Sequence, residues 1–126
     1  MLAGDFFFVT HFQQQAATIS AVLEINTTHS IFGGHFPEQP VVPGVCMLQI
    51  IKELLEKALG NATRLTRADN LKFLSLIDPR VNSIIQAEIN YATEANGNIK
   101  ATASLFNNDV IFFKMGGQFM LEHLLA

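Results

Sequence analysis

The chain has 126 residues, of which 49% are hydrophobic and 15% charged, with a formal net charge of −3. That length suits one domain with a substantial core, spanning residues 1–126, and is short for two. The eight Lys and Arg are scattered from Lys52 to Lys114, which excludes a basic nucleic-acid patch and leaves Met1–Ala21 without the charged start of a signal peptide. No apolar run approaches the roughly 18–20 residues that a membrane helix needs. The single cysteine, Cys46, excludes an intramolecular disulfide and fits a reducing compartment, so a cytoplasmic protein is expected. Eleven phenylalanines beside so few charges point to a buried subunit interface or an apolar ligand tunnel.

Asp5–Val9 reads as a short edge strand or a helical turn. Ala17–Asn26 alternates, with Ile19, Ala21, Leu23 and Ile25 on one face, as a half-buried strand does. Thr27–Val42 is a loop, and Pro43–Leu59 has helical periodicity through Val45, Leu48, Ile51, Leu54, Leu55, Ala58 and Leu59. Gly60-Asn61 ends this helix, because both residues tolerate the left-handed conformation of a C-terminus. A less regular strand follows over Thr63–Ser75. Ser83–Thr93 and Ile99–Phe106 alternate cleanly around Asn96-Gly97, a strong hairpin signal. A second turn at Asn107-Asn108-Asp109 leads into a last apolar strand, Val110–Leu121. The order predicts an α+β fold in which one antiparallel sheet of about five to six strands, the later ones a meander, wraps one long helix. Ala87, Ala92, Ala101 and Ala103 are small enough to let the sheet approach that helix. One helix cannot cover both faces of such a sheet, so a second copy is expected to pair with it.

Within the loop, Gly33-Gly34-His35-Phe36-Pro37-Glu38-Gln39-Pro40-Val41-Val42-Pro43-Gly44-Val45 holds three of the four prolines. Proline fixes its own φ and forces the preceding residue into an extended form, so this is a stiff strap. It delivers the chain into the helix, whose first amide groups are unpaired and carry partial positive charge, a setting suited to an oxyanion. His35 is the best candidate for chemistry. A lone histidine usually just bonds a loop carbonyl, but this one sits on a rigid strap beside a glycine pair, and a neutral imidazole is a good general base. On the helix, Gln49, Lys52, Glu53, Glu56 and Lys57 share one arc. For Lys52, Glu56 and Lys57 a solvated face is the simplest account. Gln49 is polar among apolar neighbours, so it should be buried with a partner, and Glu53 lies one turn along the same face. Cys46 reads as a small core residue. His11, His29 and His123 have no metal-ligand spacing, so no metal is expected, and neither a nucleophile elbow nor a phosphate-binding glycine loop is present.

The run Gly34-His35-Phe36-Pro37-x-x-Pro40-x-x-Pro43-Gly44-Val45, entering an apolar helix, resembles the signature of the hot-dog 3-hydroxyacyl-(acyl-carrier-protein) dehydratases. The order of elements agrees over nearly the whole chain, with looser agreement from Leu71-Lys72-Phe73 onward. The resemblance implies a hot-dog fold and a dimer, alone or as a trimer of dimers, with an apolar acyl tunnel between subunits. It makes His35 the catalytic base and the Gly44 amide, with Val45 beside it, the binder of the thioester carbonyl. Phe32, Phe36 and Phe73 would line the tunnel. An acyl carrier protein would bear the substrate, without metal or organic cofactor.

One departure bears on mechanism. Where the family carries an acidic residue contributed across the dimer interface, this chain has Gln49, and where the family usually has Gln, four residues on, it has Glu53. An amide has no titratable form in the accessible range, so it cannot transfer a proton to a departing hydroxyl. The reading favoured is a dehydratase in which Glu53, or His35 itself, protonates the leaving group while Gln49 holds the hydroxyl. A hot-dog thioesterase and a catalytically impaired acyl-binding partner subunit are the alternatives. Arg64, Arg67, Lys72 and Arg80 are candidate contacts for an acidic carrier protein.

Overall fold

The computed structural model describes residues 1–34 and 40–125. Six strands form one sheet: β1 (Phe7–Gln15), β2 (Thr18–Ile25), β3 (Thr63–Phe73), β4 (Ile84–Thr93), β5 (Asn98–Asn107) and β6 (Val110–Leu121). Between β2 and β3 lie a one-turn helix, α1 (Ile31–Gly34), and the long helix α2 (Gly44–Leu59). All pairings are antiparallel, and the strand order is β1-β2-β4-β5-β6-β3. This is the hot-dog arrangement that the strap motif implies.

Period-two sequence becomes period-two burial. Ile19, Ala21, Leu23 and Ile25 of β2, Ile85, Ala87 and Ile89 of β4, and Ile99, Ala101, Ala103 and Leu105 of β5 all face the core. They meet Met47, Ile50, Ile51, Leu54 and Leu55 of α2 there. Ala92, by contrast, is exposed, because its even position puts it on the other face of β4.

Several expectations change. The first strand is β1, which runs to Gln15 and so includes a polar half; it returns through a two-residue turn in which Ala16 has φ 54°. The loop before α2 contains α1, whose Ile31 N–H is capped by His29 Nδ1 at 3.1 Å. The last four strands are not a simple meander: β3 crosses to pair with β6, leaving β4 between β2 and β5. The side chains of β3 beyond Leu65 are all exposed, as suits an edge. Finally, the β4–β5 turn uses positive φ only at Gly97 (87°), with Gly97 N–H bonded to the Glu94 carbonyl and Glu94 N–H to that of Asn98. That is a three-residue connection closed by a left-handed glycine, not the two-residue turn in which Asn96 would share the positive φ.

Helix α2 starts one residue later than the expected Pro43, which lies just outside it. Pro43 is extended (φ −61°, ψ 146°) and caps the helix, its carbonyl accepting the Cys46 and Met47 N–H groups. Gly60, with φ 72°, closes the other end in the expected left-handed form. No helix among the described residues is long and apolar enough to cross a membrane.

Candidate active site

The two ends of the strap are pinned to the body of the protein. At its start, Phe32 on α1 is buried against Phe6, their rings 5.5 Å apart, and His29 bonds Asp5 through Nε2 at 3.1 Å. Because His29 Nδ1 accepts from Ile31, Nε2 carries the proton and donates to the Asp5 carboxylate. At its end, Val42 N–H donates to the buried Ile77 carbonyl at 2.9 Å. His35 and Phe36 themselves lie outside the described residues.

The strap ends at the open N-terminus of α2. Among the described residues, the Gly44 and Val45 N–H groups have no backbone acceptor, whereas the next two bond Pro43. Such amides at a helix start suit an oxygen carrying developing charge. The Val45 side chain is 74% exposed, so its side of this first turn faces outward while Cys46 and Met47 point into the core. Phe73, at the end of β3, leans over it. A Cβ built on Gly44 would lie 2.8 Å from the Phe73 ring, so the ring approaches in a way that only glycine permits. Val42, Gly44, Met47, Phe73, Leu74 and Leu76 line an open groove of about 530 Å³ here. Of the expected tunnel residues, Phe73 is thus 54% exposed at this groove, while Phe32 is a core residue at 6%.

One turn into α2, Gln49 is half-buried and donates from Nε2 to Glu53 Oε2 at 2.9 Å. The partner expected for Gln49 is therefore present. The more deeply buried of the two is Glu53, at 3% exposure. Its Oε2 also accepts the Leu2 N–H at 2.8 Å, and its Oε1 accepts the Ala3 N–H at 2.9 Å. Local periodicity could not reveal this, because the segment covering Glu53 comes from the far end of the sequence. Glu56, assigned to a solvated face, likewise holds the fold together. It accepts the Thr63 N–H at 2.6 Å and pairs with Lys52, tying α2 to β3.

Cys46 is buried, and burial pushes its thiol pKa up, as suits a core residue and not a nucleophile. Three of the four candidate docking cations are engaged: Arg64 with Glu122, Arg67 with Asp69 and Arg80 with Asp78. Hydrogen bonds from the Arg80 side chain hold the Asp78 carboxyl below its usual range. Among the described residues Lys72 makes no ion pair, and no group of three or more His, Cys, Asp or Glu side chains could hold a metal.

Comparison with known proteins bears on the fold and the family. A 3-hydroxyacyl-acyl-carrier-protein dehydratase FabZ from Oceanobacillus iheyensis is 28% identical over 83 residues, covering 60% of this chain and 59% of the relative. The FabZ of Rickettsia akari is 34% identical over 91 residues, covering 56% of this chain and 63% of the relative. The chain thus spans about three-fifths of the length of these curated relatives. Among solved structures, the dehydratase heterocomplex ApeI:P from Xenorhabdus doucetiae superposes with a TM-score of 0.72 at 21% identity, over 90% of this chain and 96% of that one. Cj0977, a sigma28-regulated virulence protein from Campylobacter jejuni, shares the fold with a TM-score of 0.65 at 7% identity, over 88% of this chain and 82% of its own. The fold alone therefore does not assign an activity. Residues 7–108, however, match the ApeI-like family, described as ApeI dehydratase, and the chain belongs to that family.

Proposed function

We propose that this protein dehydrates 3-hydroxyacyl thioesters carried on an acyl carrier protein to trans-2-enoyl thioesters, in fatty acid or related biosynthesis of the aryl-polyene or polyketide-like kind. The observation that carries the reading is the N-terminus of α2, where among the described residues the Gly44 and Val45 N–H groups have no acceptor and lie beside an apolar groove. Family membership supports the same assignment. His35 takes the α-proton while the Gly44 amide, with Val45 beside it, stabilises the enolate oxygen. The Cβ–O bond then breaks, and the departing hydroxide leaves as water with a proton from an acid. Both oxygens of Glu53 are already engaged by N–H donors, and its side chain is buried under residues 2 and 3. This favours return of the same proton from His35, a syn elimination, with Gln49 holding the hydroxyl and Glu53 acting behind it. Phe73 lines the acyl tunnel at the α2 end, and Phe36 and Phe32 are assigned to its strap side on the motif alone.

The active form is proposed to be a homodimer. Edge strand β3 is exposed beyond Leu65, carries Leu71 and Phe73 outward, and adjoins exposed Leu74 and Leu76. A long exposed edge that ends in apolar side chains is a template for pairing, and a second β3 related by a two-fold axis would be self-complementary to it. The carrier protein docks at Lys72, the candidate cation without an ion pair among the described residues. A second reading is a subunit needing a different partner chain to supply an acid. The named heterocomplex of ApeI:P favours it, as does Gln49 itself.

The test is hydration of trans-2-enoyl thioesters, free and carrier-bound, by the purified chain, followed as loss of enoyl absorbance. Turnover by a homodimer supports the proposal. Release of free thiol instead would make the protein a thioesterase, and turnover only after adding a sister chain would favour the second reading.

A further inference from the structure

The bonding around Glu53 decides which end of the Gln49 amide faces the substrate, and this goes one step beyond the dehydratase reading on which it rests. A buried carboxylate accepts hydrogen bonds, and Glu53 accepts three, from the Leu2, Ala3 and Gln49 nitrogens. The Leu2 and Ala3 donors are backbone groups and cannot be reversed. Gln49 can meet the same carboxylate only through its NH₂, which turns its Oε1 away from Glu53. Among the described residues, nothing donates to that oxygen. We propose that Glu53 is a positioning residue: locked by the Leu2 and Ala3 N–H groups, it fixes Gln49 as a hydrogen-bond acceptor, so the site selects a 3-hydroxyl and rejects a 3-oxo group.

A 3-hydroxyl donates to Gln49 Oε1. A 3-oxo oxygen can only accept, so it meets Oε1 lone pair to lone pair, and a 3-deoxy chain leaves Oε1 unpaired. A hydrogen-bonding site rejects groups that cannot satisfy it more strongly than an apolar site rejects a missing methylene. In Glu53→Gln, the new amide keeps only one oxygen for the fixed backbone donors. Its NH₂ can then face Gln49 and allow that side chain to turn over, presenting a donor to the substrate.

The experiment measures calorimetric affinities of short 3-hydroxyacyl, 3-oxoacyl and 3-deoxyacyl thioesters for the full chain. A His35→Ala background prevents turnover. With Glu53 intact, the 3-hydroxy ligand should bind about tenfold more tightly than the 3-oxo ligand. Adding Glu53→Gln should bring that ratio to within about threefold through a gain in 3-oxo affinity, which a merely loosened fold would not produce. An unchanged ratio in a folded Glu53→Gln protein would overturn the proposal while leaving the dehydratase reading intact. Failure of all three thioesters to bind the parent would overturn both. If Glu53→Gln does not fold, nitrogen-15 NMR on the unsubstituted chain tests the same point. The Gln49 side-chain amide protons, assigned by their loss in Gln49→Leu, should be downfield and protected from exchange, and free-solvent values would overturn the proposal.

Discussion

Substituting Gln49→Glu restores the residue type that the dehydratase motif leads one to expect, yet it should destabilise this protein. Gln49 Nε2 stands 2.9 Å from Glu53 Oε2, and the substitution brings a second carboxylate to that place. Two unit charges about 4 Å apart repel by about 4 kcal/mol at an effective dielectric of about 20. Loss of the N–H donor to a charged acceptor adds about 1.5–3 kcal/mol. Gln49 is half-buried, so the introduced carboxylate can swing partly into water, and a net loss of about 2–4 kcal/mol at pH 8 is the outcome expected. Lowering the pH to 5 should shrink that loss, because the folded pair is relieved by holding one proton between two carboxyl groups. Exchanging both residues, Gln49→Glu with Glu53→Gln, rebuilds the mutual hydrogen bond with its polarity reversed. Recovery should be incomplete, since the amide introduced at position 53 would offer one oxygen to the two backbone donors at Leu2 and Ala3. Urea unfolding of the four proteins at pH 8 gives the coupling energy, expected to be about 2 kcal/mol or more in favour of the double variant. Additive losses, within about 0.5 kcal/mol, would refute a direct Gln49–Glu53 bond.

Further outcomes follow from packing and burial. Gly44→Ala should cost little stability, since the half-exposed Phe73 ring can move from a Cβ 2.8 Å away, but should lower kcat/KM by about tenfold or more as the ring shifts over the α2 N-terminus. Phe32→Ala should destabilise by about 3–5 kcal/mol in urea, while Phe73→Ala should alter monomer stability by less than about 1 kcal/mol. The Cys46 thiol, buried and raised in pKa by that burial, should resist alkylation at pH 8 until denaturant is added.

Much of this was legible in the residues because local rules and the fold agree. Alternation in Ile19–Ile25 and Ile99–Leu105 carried over directly, the Pro43-Gly44 helix start did so to within one residue, and the isolated polarity of Gln49, with Glu53 one turn on, fits the bond between them. What was missed depended on distant covering or on weak turn chemistry. The polar stretch from Thr10 to Gln15 belongs to β1, and its Ala16-Ala17 turn contains neither glycine nor asparagine. The crossing of β3 to the far edge is a property of the sheet, not of any stretch within it. Glu53 shares its helix arc with charged neighbours, so only the Leu2–Ala3 cover explains its burial. Val45 fits the apolar period of α2 but is 74% exposed, on the side of the first turn away from the core.

The most direct test of the mechanism compares kcat for enoyl thioester hydration in His35→Ala and in Glu53→Gln. With His35 as both base and acid, His35→Ala should lose about 10²–10⁴-fold or more. Glu53→Gln, which only releases the Gln49 amide, should lose about tenfold. Equal, large losses in two folded proteins would contradict the account and make Glu53 the acid.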